Sequence, residues 1–349
     1  MGIQTRGQTE TLGDWAKLAI AKYFQKTIKY ESDVLEDRDP EALHQMRIGM
    51  RRLRTIVTGF AAALDLPKAA SEKEIGKIAR ILGNLRDLDV LQEALKSRYQ
   101  PAVPTQEQPQ VKFALTRVAK QRRKALKQVQ TTLKHQKEYQ KLKQTLQRWL
   151  ELPTYKEFAQ MPVTDVLPDI LLSLSSQLLL HPGWLVGVQL SDRSSDSPQK
   201  MTPAAVESLI ATQGEMLHSL RKQAKRVRYQ MSLFTDLYGP TYQDYVEDVK
   251  QVQTVLGDIQ DSQVLEEFLN HVFGLGIRTK TPHLAGLLAN NRYQAWQQWQ
   301  SLQHRYLNVQ TKQAFRQELL QPRVDVSGDI EVEVSGNGSQ PREDTPVEV

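Results

Sequence analysis

Apolar residues along this 349-residue chain return every three or four positions over long stretches, and hardly any segment alternates with period two over the length of a strand. That pattern predicts an all-α fold. A first helix is expected near Thr11 to Tyr30, followed by an acidic connection from Glu31 to Asp39. A helix carrying His44 then runs to about Leu64, with Pro40 at its start, where proline is preorganised for a first helical position. After a break at Pro67, Ser71 with Glu74 three residues later has the form of a capping box and opens a helix that ends near Tyr99. A proline-containing loop from Pro101 to Pro109 leads into one long basic helix from Val111 to Leu150. The second half follows the same plan. It has an apolar helix around Val166 to Leu180, a polar linker from Gly183 to Thr202, a helix carrying His218 to Tyr238, one from Tyr242 to Phe273, and a last one from His283 to Leu320.

The two halves share residues as well as a plan. His44, Arg47, Arg51, Arg52 and Arg54 return as His218, Arg221, Lys225, Arg226 and Arg228, and 218 minus 44 gives an offset of 174 residues. The same offset carries Leu82, Gly83 and Asp87 onto Leu256, Gly257 and Asp261, and Val90 and Leu91 onto Val264 and Leu265. A single histidine followed by an arginine three residues later is common, whereas a register-locked pair marks an internal duplication. The expected organisation is a first helical repeat over residues 1–160, a second over 161–322 and a tail over 323–349.

At 100° per residue, His44, Arg47, Arg51 and Arg54 fall within about 80° of one helix face, as do His218, Arg221, Lys225 and Arg228. Like charges at three- and four-residue spacing repel by a few tenths of a kcal/mol per pair, so the strip calls for carboxylates or a bound anion. Arginine supplies a planar fork of donors suited to phosphate oxygens, and lysine a point charge. One such strip alone reads first as a solvated helix face; two in register favour an anion site. Gly83 and Gly257 each cost a helix about 1 kcal/mol relative to alanine, which close approach of another helix would explain. Asp87 and Asp261, four residues later, are expected to pair with and orient the cations. Further cations come from Lys73, Lys77 and Arg80, with Lys250 in the second repeat, and from Arg117, Arg122, Arg123 and Lys124 on the long fourth helix. Most charges between Arg117 and Lys143 are expected to solvate that helix, and any cavity is expected to be lopsided toward the first repeat. His44 and His218 are either phosphate donors titrating near neutrality or satisfied core histidines; both readings remain open.

These two basic helices, with the two segments at residues 82–87 and 256–261 and an all-helical pattern from about residue 10 to 320, resemble the CHAD family, whose name stands for conserved histidine, alpha-helical domain. The resemblance implies two pseudo-symmetric four-helix bundles around a basic central cavity, and an inorganic polyphosphate-binding module rather than an enzyme. It nominates His44, Arg47, Arg51, Arg52, Arg54, Lys77, Arg80, His218, Arg221, Lys222, Lys225, Arg226, Arg228 and Lys250 as polyphosphate contacts, with Asp87 and Asp261 orienting them.

Composition narrows the alternatives. The absence of cysteine excludes disulfides and thiolate metal sites and makes a reducing cytoplasm the simplest home, with association to polyphosphate granules as an extension. No signal peptide is expected, and the most apolar stretch, Val166 to Leu180, is interrupted by Pro168, Asp169 and serines, so no membrane span is expected. The tail from Val326 carries six acids against Arg342, a charge of −5; removing it from the total of +6 leaves a body of +11 that attracts polyanions. That tail, rich in Gly, Ser and Pro, is expected to be disordered. The cations around His44 and His218 oppose a divalent ion, so neither metal nor cofactor is expected. No phosphate loop, nucleophile elbow or acidic metal cluster is present, and Glu331 with Glu333 only imitates the ExExK strand of a CYTH triphosphatase. A nucleic-acid-binding protein and a regulatory subunit of a phosphate-metabolising enzyme are the competing readings.

Overall fold

The computed structural model describes residues 11–188, 201–274 and 276–322. Among the described residues the protein is all-α, with two isolated β-bridges, Thr11 with Pro162 and Leu64 with Tyr155, and no strand. The first half comprises α1 (Leu12–Lys29), α2 (Glu31–Glu36), α3 (Pro40–Gly59), α4 (Glu72–Glu93), α5 (Gln108–His135) and α6 (Lys137–Glu151). The second comprises α7 (Val163–Leu179), α8 (Pro203–Met231), α9 (Pro240–Phe273), α10 (Ile277–Lys280), α11 (Pro282–Leu307) and α12 (Val309–Leu319). Packing follows one order twice: α1 lies on α3, α3 on α4 and α4 on α5, while α7 lies on α8, α8 on α9 and α9 on α11.

Local chemistry sets the starts of the two histidine helices. Asp39 caps α3 by accepting from the Glu41 amide at 2.8 Å, with Pro40 in the first helical position. Thr202 caps α8 through the Ala205 amide at 3.3 Å, with Pro203 next. The expected capping box at Ser71 is not made. The Ser71 amide already donates to Lys68 O at 3.2 Å across a preceding 3₁₀ turn and the Glu74 carboxylate is turned to Lys77 at 2.8 Å, which removes one half of the reciprocal pair; the Glu74 amide donates to Ser71 O at 3.0 Å, not to the hydroxyl, which removes the other. The acidic connection holds a short helix, α2, and ends on Asp37 in the left-handed region at φ 51°.

The single long helix expected from Val111 to Leu150 is two. Gln136 is extended, with ψ 123°, between α5 and α6. The buried stripe explains the break: Val129, Thr132 and Leu133 on α5 are followed by Tyr139, Leu142, Leu146 and Trp149 on α6, about one position out of phase with a continuous helix. The expected last helix is divided in the same way at Asn308, ψ 133°, and 308 minus 136 gives 172, close to the repeat offset. The duplication thus includes its interruption.

One core runs through both halves. Trp15, Phe60 and Phe234 meet with ring centres 6.0 and 5.6 Å apart, joining α1 and α3 to the segment after α8. A second cluster sets Val111, Ala114 and Val118 of α5 against Leu265, Leu269, Leu284 and Leu288. Buried Glu107, just before α5, accepts from the His283 and Leu284 amides at 2.7 and 3.0 Å and so caps α11 of the other half. Against the expectation of no membrane span, Val163–Leu185 is long and apolar enough to cross a bilayer by length and composition, with mean hydropathy 1.3. Here α7 packs on α8, burying Leu167, Leu171, Leu178 and Leu179. The acidic tail with Glu331 and Glu333, and residues 189–200 of the expected linker, lie outside the described residues.

Candidate functional site

Arg47 and Arg54 of the first strip, and Arg221 and Arg228 of the second, are turned toward the neighbouring helix of their own half. On α3, Arg47 is 1% exposed, and its guanidinium stands 3.7 Å from Asp87 on α4; Arg54 reaches the start of α4, donating from Nε to Glu72 at 2.6 Å. On α8, Arg221 is also 1% exposed, and Arg228 donates from NH1 to Gln253 of α9 at 3.2 Å. Gly257 shows what the glycine is for. A Cβ there would lie 3.1 Å from Arg221 Nε and 3.3 Å from NH2, so the bare backbone makes room for a flat buried guanidinium. Close approach comes from an arginine, not from another helix backbone. Gly76 stands to Arg54 in the same way, at 3.3 Å from Nε. Asp261 is half-buried one turn after Gly257 on α9.

The two histidine helices meet at their C-terminal ends. Tyr229 of α8 receives Arg51 and Arg52 of α3 over its ring, at 5.1 and 4.8 Å from the ring centre, and Arg228 of its own helix at 5.6 Å. Arg52 also donates to Tyr229 O at 3.1 Å and to Ser232 Oγ. Several donors here have no acceptor among the described residues, namely Nε and NH1 of Arg51 and Nε and NH2 of Arg221, and the Nδ1 atoms of His44 and His218 have no hydrogen-bond partner there either. Buried donors without acceptors cost about 1–3 kcal/mol each, so an anion admitted between these helices would meet N–H groups already in place.

The remaining nominated cations separate by exposure. Lys222, Arg226, Lys77 and Arg80 are exposed, Lys250 is half-buried and Lys225 is buried. Lys77 is held by Glu74 at 2.8 Å, Lys250 by Glu247 at 3.1 Å, and Arg80 Nε donates to Gly76 O at 3.3 Å. Arg122 leaves the basic stretch of α5: it grips Asp37 with both terminal nitrogens at 2.8 and 2.7 Å and Asp89 with Nε at 2.6 Å, fastening α2 and α4 to α5. The reading of the sequence missed Tyr229, because its counterpart in the first repeat is Thr55, and Arg86, whose counterpart is Gln260.

Both histidines are pushed below the ordinary histidine value. Burial lowers the His218 pKa from 6.5 to about 4, with Lys222, Arg221 and Lys225 adding to the shift and Glu215 opposing it. His44 is lowered by burial first and then by Arg86, Arg51 and Arg47, against Glu41. Both imidazoles are neutral at pH 7, and the depression is the signature of a positive, dry surrounding. Among the described residues no group of three or more His, Asp and Glu side chains is placed to hold a metal ion.

An uncharacterized protein of Mycobacterium tuberculosis, found in two strains, is 25% identical to this chain over 253 residues, covering 72% of the chain and 44% of the relative. The chain therefore spans less than half the length of those relatives. Among solved structures, the CHAD domain from the plant Ricinus communis superposes with a TM-score of 0.54 at 22% identity, covering 92% of this chain and 98% of that one. PptA from Streptomyces chartreusis gives 0.53 at 11% identity, covering 82% and 100%. The family model described as CHAD domain matches residues 18–270, which contain both histidine helices and both glycine–aspartate segments, and the chain belongs to the CHAD domain family.

Proposed function

We propose that this chain binds inorganic polyphosphate along the α3/α4 and α8/α9 grooves, with the polymer passing between them where α3 and α8 meet. The observation that carries the reading is the set of buried guanidinium N–H groups on Arg51 and Arg221, which lack acceptors among the described residues, whereas Arg122 and Arg292 are each held by two carboxylates. A chain of phosphates is a row of charged acceptors that satisfies such donors without needing a shaped pocket. Exposed Lys222 and Arg226, which have no ion pair among the described residues, supply the outer contacts. Membership of the CHAD family supports the ligand class.

Binding rather than turnover is the proposed activity. Asp87, the carboxylate beside the first strip, stands 3.7 Å from the Arg47 guanidinium and is engaged with that cation. A cytoplasmic location, association with polyphosphate granules and the absence of a membrane role belong to the same proposal. The test is competition. Bound long-chain polyphosphate should be displaced by free polyphosphate far more readily than by duplex DNA or RNA at matched phosphate concentration, and Arg51→Gln with Lys222→Gln and Arg226→Gln should weaken binding at least tenfold. Equal competition by nucleic acid would move the nucleic-acid reading ahead.

A further inference from the structure

Helix α5 contains eight Lys and Arg residues in 28 positions and no carboxylate. Seven of them, Lys112, Arg117, Lys120, Arg123, Lys124, Lys127 and Lys134, are exposed, and at 100° per residue they fall within about 140° of the helix circumference. The eighth, Arg122, lies on the opposite side and is the one taken by Asp37 and Asp89. None of the seven has an ion pair among the described residues; Arg117 lies over the Phe113 ring at 4.9 Å.

A solvated helix face ordinarily alternates its charges, because Glu and Lys at four-residue spacing attract and like charges repel. Here Arg117 with Lys120, Lys120 with Arg123 and Lys124, and Arg123 and Lys124 with Lys127 all repel at three- or four-residue spacing, and the helix offers nothing to offset them. The fold does not require this. In the corresponding helix of the second half, α11, the two arginines are both paired, Arg292 with Glu207 and Glu266 and Arg305 with Asp248, and no lysine occurs.

We propose that the outer face of α5 is a second docking face for linear polyphosphate, separate from the grooves of the histidine helices. The proposal rests on polyphosphate being the ligand of those grooves. The face runs about 33 Å from Lys112 to Lys134, one cation roughly every 5 Å, which suits an extended polyanion and not a compact phosphate ester. It carries charge without readout. Phe113 is its one exposed aromatic, too few to stack successive bases. A chain long enough to engage both sites gains by effective concentration.

The experiment compares the wild-type protein with Lys120→Gln, Arg123→Gln, Lys124→Gln and Lys127→Gln combined, all exposed positions where glutamine keeps the helix. Affinities for a short linear polyphosphate and for one of hundreds of units are measured at several salt concentrations, with duplex DNA as a third probe. The expected result is at least a tenfold loss for the long chain, a salt dependence shallower by about three in slope, and no change for the short chain. If the long chain binds the variant as tightly and as steeply, the face is only a solvated surface and the proposal falls, while short-chain binding leaves the groove reading standing. If the wild type binds neither chain, the groove reading falls with it. If the variant loses DNA binding alone, the face belongs to nucleic acid and the proposal is overturned.

Discussion

Helices α3 and α8 present the same cations at the same spacing and treat them differently. Arg54 has a side chain 47% exposed and is paired with Glu72; Arg228, 174 positions later, is 7% exposed and donates to Gln253. The partner helices account for the divergence. The position of Glu72 is Val246 in the second repeat, and that of Gln253 is Ala79 in the first. The first repeat therefore answers its arginine with an outer carboxylate, the second with an inner amide. The helix crossings diverge in the same way. A Cβ at Gly49 would lie 2.4 Å from Thr27 Oγ1 and 3.2 Å from its Cα, so α1 rides directly on the α3 backbone, while the equivalent Gln223 stands α8 off α7 and donates to Leu174 O at 3.4 Å. A duplicated motif fixes which residues are present; the facing helix decides what each of them does.

The comparison can be broken most forcefully by exchanging its terms. Gly49→Gln, the residue of the second repeat, should overpack the α1 crossing and lower unfolding free energy by about 3 kcal/mol in urea titration. A loss below about 1 kcal/mol would mean that the two crossings are interchangeable. Next in size is the pH response. A histidine at 6.5 in the unfolded chain and about 4 in the fold leaves stability untouched above pH 7 and penalises folding as pH falls through that window, because only the unfolded chain takes up the proton. Between pH 7.5 and 4.5 the wild type should lose about 2 kcal/mol more than His218→Gln; parallel curves would place His218 in a wetter site. If a bound polyanion raises the His218 pKa from about 4, binding should draw in protons at mildly acid pH, which titration calorimetry in buffers of different ionisation enthalpy would detect.

Smaller effects sharpen the picture at the junction. Tyr229→Leu should cost about 1–2 kcal/mol in stability through lost contacts with Arg51 and Arg52. Tyr229→Phe should be neutral or slightly stabilising, because the hydroxyl is buried without a partner among the described residues. A clear loss in the phenylalanine variant would give the hydroxyl an acceptor. Arg54→Ala should change thermal stability by less than about 0.5 kcal/mol, since an exposed pair with Glu72 contributes little, whereas Arg228→Ala should cost more. Equal values would erase the distinction between the two repeats.

Much of this was legible from residue order. The 174-residue offset marked both histidine helices and paired Gly83 with Gly257 before any coordinates, and Pro40 marked where α3 begins. The break at Gln136 was also encoded, as a one-position slip between the stripe ending at Leu133 and that starting at Tyr139, but a charge-rich stretch with no Gly or Pro reads as one helix. Burial of Arg47 and Arg221 was not legible, since an arginine under a neighbouring helix and one in water are the same letter. Tyr229 lay outside the duplication, and symmetry cannot point to a residue that only one copy has.

Glu107 belongs to the first half by sequence, yet it is the second half's α11 that depends on it for the acceptors of its opening amides. A gene cut between residues 188 and 201 would therefore yield two fragments, one exposing bare amides and the other a buried carboxylate with nothing to hold. The two halves are therefore not transplantable parts: co-expressed, they should reassemble, and alone each should fail.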